Sequence, residues 1–353
     1  MTLESIARTR APRRLVPAPR RRVPEWLRTW PIPLTALLMT LRLLIPGTAQ
    51  AEVRNLPTDP VRTMATEAIG QDFADPTVLV VDGVYYAYAT NSDGMHIQLM
   101  TSTDLVNWSS PIDTLPTLPG WARTGRTWAP EVVSVAGGYR MYYSPEEASS
   151  GRECISMATA ATPQGPFRDT STTPLICQLD RGGSIDPDVV ADGTASYLIW
   201  KSEDNAKHKP TNIWARQLDP ATGGFLAGSQ NTRLLTATAS WQQPSLEGPA
   251  MISDSGGYYL FYGAHAWDSG RSGIGYATCA SPLGPCVDRT TAGPWLTGSG
   301  SMSGPQGPSF FTDSSGAPHL AFAAWVGGVG YKSDGRRALW TQPLALPQPA
   351  TRR

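Results

Sequence analysis

The chain reads as an all-β protein in which one structural unit is used five times. Three observations predict this. A four-residue pattern recurs, in which a residue and a proline precede one further residue and an apolar one. Its copies are Asp75-Pro76-Thr77-Val78, Ala129-Pro130-Glu131-Val132, Asp186-Pro187-Asp188-Val189, Gly248-Pro249-Ala250-Met251 and Gly307-Pro308-Ser309-Phe310, with prolines 54, 57, 62 and 59 residues apart. Each copy is followed about nine residues later by an aromatic-rich run. No stretch sustains a 3.6-residue apolar period; short β-rich runs alternate with Gly, Pro, Asp and Ser clusters, which is the pattern of strands separated by tight turns. Repetition at a fixed period marks a repeat architecture. Five units with room for four strands each fit a five-bladed β-propeller, in which four-stranded sheets stand radially around a central channel.

The elements follow in chain order. Residues 1–51 hold nine arginines and two acids, an apolar stretch over 31–46, and an Ala49-Gln50-Ala51 end. A basic lead, an apolar run and a small-residue site are the parts of a secretory signal peptide. The apolar run is shorter than the roughly 20 residues a membrane span needs. A secreted protein, free of the membrane once the leader is cleaved, is therefore expected. The propeller is expected over 52–345. Its first unit carries strands at 78–81, 84–90 and 97–102, and the second carries one at 139–143. The third has strands at 197–200 and 213–218, the fourth at 258–262 and 274–278, and the fifth at 319–322. Residues 346–353, proline-rich and basic, form a flexible tail.

Charge narrows the partners. The whole chain has 29 basic and 29 acidic residues; without the leader 20 basic and 27 acidic remain, a formal charge of −7. Such a chain offers no basic surface for nucleic acid and suits a neutral partner. The four cysteines, Cys154, Cys177, Cys279 and Cys286, are an even set in an exported chain and read as two disulfides. The spacing favours the local pairs Cys154–Cys177 and Cys279–Cys286, although three connectivities are possible. Zinc is a poor alternative with no C-x-x-C and four histidines in all. A monomer is expected.

The repeat brings acids to matching places. Asp75 and Asp186 precede their prolines, and Glu247 precedes Gly248. An isolated Asp before Pro commonly just starts a turn. Three acids converging on one channel are different, because uncompensated charges brought together cost free energy. Glycoside hydrolysis uses two carboxyl groups on opposite sides of the scissile bond, one as proton donor and one to activate water or attack the sugar. A third acid nearby helps to keep the donor protonated.

These residues resemble glycoside hydrolase family 43. The resemblance rests on Ala74-Asp75-Pro76-Thr77-Val78 with Gly83-Val84-Tyr85-Tyr86, on Trp128-Ala129-Pro130-Glu131-Val132, on Ile185-Asp186-Pro187-Asp188-Val189, and on Glu247-Gly248-Pro249-Ala250-Met251 with Gly257-Tyr258-Tyr259-Leu260. Ile274 to Cys279 followed by Gly284-Pro285-Cys286 adds to it, so that roughly 70–330 are covered. The resemblance implies a five-bladed propeller that hydrolyses glycosides with inversion. It implies Asp75 as general base, Glu247 as general acid and Asp186 as the residue that tunes and orients the acid. Inversion sets base and acid about 6.5–9.5 Å apart. The substrate class implied is an arabinose- or xylose-containing polysaccharide or oligosaccharide. An α-L-arabinofuranosidase activity is expected first; a β-xylosidase, an endo-arabinanase or a carbohydrate-binding propeller without turnover are the alternatives. A retaining, fructan-cleaving propeller lacks its Asn-Asp-Pro-Asn motif here.

Around the acids, Trp128, Phe73 and Gln306 are the expected substrate-binding residues, since apolar sugar faces pack on aromatic rings. Trp121, Trp241 and Trp267 are weaker candidates. Asp72 and Asp188 read as structural hydrogen-bond partners, and Glu131 as a side chain on the other strand face. No cofactor is expected. Many family members carry a fifth-blade histidine that supports a channel ion; here Gln306 and Ala323 stand in the corresponding stretches, so no metal ligand is assigned.

Overall fold

A computed structural model describes residues 65–254 and 257–346. The expected leader and residues 347–353 of the expected tail lie outside the described residues. The fold is a five-bladed β-propeller. Strand β1 (Thr66–Ile69) precedes the first repeat. Blade I is β2 (Thr77–Val81), β3 (Val84–Ala89), β4 (Gln98–Ser102) and β5 (Ile112–Asp113). Blade II is β6 (Ala122–Val135), β7 (Gly138–Glu147), β8 (Arg152–Glu153) and β9 (Ser156–Ala160), the last two both pairing with β7. Blade III is β10 (Ser184–Asp192), β11 (Ala195–Ser202), β12 (Asn212–Leu218) and β13 (Thr232–Thr236). Blade IV is β14 (Leu246–Asp254), β15 (Gly257–Ala264), β16 (Gly273–Cys279) and β17 (Cys286–Asp288). Blade V is β18 (Ser303–Thr312), β19 (Pro318–Val326) and β20 (Arg336–Pro343), and β1 supplies its outer strand. Both ends of the repeat array thus share one sheet, which closes the ring and covers an edge that would otherwise be open for pairing.

The aromatic runs mark the second strand of each blade. Successive residues on a strand point to opposite faces, and here both faces are buried. Tyr85 enters the core between blades V and I, and Tyr86 the core between I and II. Tyr142 faces blade III while Tyr143 faces blade I. On β15, Tyr259 and Phe261 pack towards blade V, whereas Leu260 and Tyr262 pack towards blade III. Five cores result, one between each neighbouring pair of blades, and that is why these strands read as continuous apolar runs rather than alternating ones. Cys154–Cys177 and Cys279–Cys286 are joined as disulfides. No helix among the described residues is long and apolar enough to cross a membrane.

Candidate active site

The backbone of the repeat motif builds the site. The residue before each motif proline has a positive φ: 50° at Asp75, 47° at Ala129, 56° at Asp186, 52° at Gly248 and 60° at Gly307. This left-handed region is uncommon for residues other than Gly and Asn or Asp. In blades II to V the pairing of the inner strand with its neighbour shifts at this point, a β-bulge. The bulge breaks the simple alternation of faces and re-aims side chains. As a result the positions two before, one before and one after the proline all reach one cavity of about 560 Å³: Trp128, Ala129 and Glu131 from blade II, Ile185, Asp186 and Asp188 from III, Gln306, Gly307 and Ser309 from V. Asp75 from blade I and Glu247 from blade IV line it too. Glu131, expected on the other strand face, is therefore a channel residue. The bulge, invisible as a pattern of apolar residues, is the reason.

Asp75 is held by blade V and by its own blade. Both its oxygens accept from the Arg337 guanidinium, Oδ2 at 3.2 Å and Oδ1 at a shorter distance, and Oδ2 also accepts from Thr90 Oγ1 at 2.8 Å. A carboxylate has about four acceptor sites, so room for one more donor, such as a water, remains. Arg337 is buried, with its charge balanced chiefly by Asp75 and also sensing Glu247. Asp186 Oδ2 accepts from the Gly248 backbone N–H at 2.8 Å, which ties it to the residue adjoining Glu247. Burial pushes the Asp186 carboxyl up to about 7; Lys201 opposes the rise, and the charges of Asp75 and Glu247 add to it. Glu247 Oε2 accepts from Lys201 Nζ and from Ser245 Oγ, each at 3.2 Å. Its other oxygen, Oε1, is buried and has no partner. The three acids of the sequence reading therefore meet in one cavity, each held differently.

The walls are aromatic and charged. Trp128 lines the cavity, with the Arg126 guanidinium 5.3 Å from its ring centre; Arg126 is paired in turn with Glu146 at 2.6 Å. On the opposite side of the motif ring, Trp267 lies against buried Trp325 at 6.0 Å and against Tyr331 at 6.1 Å, and Tyr331 donates to Asp72. Gln306 reaches the cavity, but its amide donates to the carbonyls of Ala264 and His265, so it braces the loop behind Glu247. Phe73 is not a substrate-binding residue. It is fully buried in the core between blades V and I, because its backbone N–H is bonded to the Arg337 carbonyl and the chain turns its ring inward. Trp241 packs on Tyr262 in a core, and Trp121 bonds Ser171 away from the cavity. Asp188 accepts from the Met251 N–H and Asp72 from the Arg337 N–H, as structural partners do.

Arg337, Lys201 and Tyr331 carry weight that the sequence reading did not give them, and Trp267, a weaker candidate there, lines the cavity. For Lys201 and Arg337 a signal existed: each is a cation set inside a strand whose other members are largely apolar, in Tyr197-Leu198-Ile199-Trp200-Lys201 and Arg337-Ala338-Leu339-Trp340. A buried cation needs a buried anion, and the acids of the motif were the available ones.

No histidine stands at the two stretches compared for a channel ion. Ala323 is buried within β19, and Gln306 spends its amide on carbonyls. Two further channel carboxyls, Glu131 and Asp188, are both pushed up by burial, Asp188 to about 7, and Glu131 accepts from Thr77 at 2.8 Å. No cluster of three or more His, Cys, Asp or Glu side chains that could hold a metal ion occurs among the described residues.

A propeller whose channel mouth gathers a guanidinium-anchored carboxylate, a raised carboxyl and a glutamate with one free oxygen belongs to the class of enzymes that cleave glycosidic bonds with paired acids. The profile described as glycosyl hydrolases family 43 matches residues 67–343, and the chain belongs to that family. It is 25% identical over 281 residues to a probable arabinan endo-1,5-alpha-L-arabinosidase A of Aspergillus flavus, covering 73% of this chain and 83% of that one. It is 26% identical over 278 residues to the extracellular endo-alpha-(1->5)-L-arabinanase 2 of Bacillus subtilis, covering 69% and 55%. Among solved structures, a thermostable family-43 glycoside hydrolase superposes with a TM-score of 0.71 at 24% identity, covering 82% of this chain and 100% of the other.

Proposed function

We propose that this chain is a secreted, inverting hydrolase of α-L-arabinofuranosyl bonds in arabinan or its fragments. The observation that carries the reading is the arrangement of Asp75 and Glu247 in one cavity, the first with a fixed counter-charge and the second with an unpartnered Oε1. Asp75 takes a proton from a water as that water attacks the anomeric carbon. Glu247 gives its proton to the leaving oxygen as the bond to the anomeric carbon breaks. Asp186, through the Gly248 N–H, fixes where Glu247 stands. The cavity, at about 560 Å³, is within the range that encloses a drug-sized ligand, and suits a short run of pentose units better than one sugar. Relatives named for arabinan support arabinose over xylose. Relatives named extracellular and the two disulfides support export.

Glu247→Gln and Asp75→Asn test the roles. Each is expected to lower kcat/KM on linear arabinan by about 10²–10⁴-fold, the usual worth of general acid–base catalysis. Glu247→Gln is expected to spare aryl arabinofuranosides with good leaving groups, which need no proton. Unchanged turnover of arabinan by either folded variant contradicts the assignment.

A further inference from the structure

Lys201 is the feature that the assigned chemistry leaves unexplained. It stands on β11, the second strand of blade III, with 1% of its side chain exposed. Its Nζ lies 3.2 Å from Glu247 Oε2 and 3.7 Å from Glu203 Oε1. A lysine buried to this degree is rare unless paired. Burial lowers the proton affinity of the ammonium, but the carboxylates of Glu247, Glu203 and Asp186 outweigh it and raise the pKa above the ordinary lysine value. The group is therefore charged throughout the working range of a glycosidase. A general acid has to keep its proton until the leaving oxygen takes it, and a cation in hydrogen-bond contact favours the carboxyl form that has already lost it. The ammonium thus does something other than assist proton retention.

We propose that Lys201 is a positioning residue that fixes the Glu247 carboxyl by Oε2 and sets the alkaline limit of activity by its charge. This rests on the reading of Glu247 as the general acid. The charged groups that bear on Glu247 are Lys201 near the end of β11, Glu203 just beyond that strand, Asp186 from β10, Asp75 at the start of blade I and Arg337 from β20; Ser245 adds a hydroxyl on Oε2. Of these, Lys201 alone contacts the Glu247 carboxylate as a cation. Glu203 shares it and so sets how much of its charge Glu247 feels.

The test is the pH profile of kcat/KM on linear arabinan for the full chain and for Lys201→Met and Glu203→Gln, with folding checked by circular dichroism. Lys201→Met is expected to move the alkaline limb up by about one unit or more. It is also expected to lower kcat most on substrates with poor leaving groups, because a released carboxyl presents its proton less often. Glu203→Gln removes the competing acid, leaves the ammonium to Glu247, and is expected to move the same limb down. Opposite shifts uphold the proposal. A limb unmoved in folded Lys201→Met, or shifts in the same direction, overturns it. If Lys201→Met fails to fold, the direction taken by Glu203→Gln decides. Glu247→Gln run in parallel separates the two failures: if it hydrolyses arabinan normally the acid is misassigned, and if it is inactive while the Lys201 and Glu203 profiles stay still, only the role of Lys201 is wrong.

Discussion

Asp186 shows how one side chain trades stability for function. Its carboxyl is raised to about 7 by burial and by the neighbouring Asp75 and Glu247, with Lys201 opposing, whereas an unfolded Asp titrates near 3.9. Between those values the folded chain binds a proton that the unfolded chain releases. Stability linked to this group is therefore complete below about pH 4 and is lost as pH rises through about 7. Asp186→Asn keeps an acceptor for the Gly248 N–H and removes the charge. It is expected to raise the thermal midpoint relative to the parent at pH 8, with little difference at pH 4, and to lower kcat. Melting curves at pH 4, 6 and 8 check this; an offset that does not vary with pH counts against the stated cause. At the same scale the sequence made the three acids legible, because a repeat places equal positions around one axis. It did not show which cations answer them. Arg337 lies 262 residues from Asp75 and Lys201 46 from Glu247, and no local pattern connects such partners.

The inner strand of each blade is the element that turns a repeat into a site. Its left-handed residue before the proline is Gly in blades IV and V, and the reason is close approach as much as backbone angle. A Cβ at Gly248 would stand 2.9 Å from Gly307 Cα, a distance real side chains do not tolerate. Gly248→Ala is expected to cost about 1–2 kcal/mol for the left-handed conformation alone, and more for the contact. Because Gly248 carries the N–H that Asp186 accepts, activity should fall with it. Urea unfolding and kcat together measure this, and a variant as stable as the parent would show that the blades have room to separate. Strand positions were legible from turn residues and aromatic runs, since a doubly buried strand needs large apolar residues on both faces. Face assignments near the proline were not: the bulge placed Glu131 in the channel, and the bond from the Phe73 N–H to the Arg337 carbonyl turned Phe73 into the core.

At the level of the whole molecule, the site exists because five sheets are locked in a ring. Five separate cores, one per blade boundary, fix the radial spacing, and β1 pairing with β20 prevents the ring from opening at blade V. Cys154–Cys177 closes a loop of 23 residues within blade II, worth about 3 kcal/mol on a loop-entropy estimate, and it braces the segment leading into β10 and Asp186. Rigidity of this kind matters for inversion, because water and leaving group must be served from opposite sides by acids that do not move together. Proton NMR of the sugar first released from an aryl α-L-arabinofuranoside tests that claim most directly. The account predicts that β-L-arabinofuranose appears first and then mutarotates; an α-anomer appearing first would contradict it, since Asp75 would then be attacking the sugar itself.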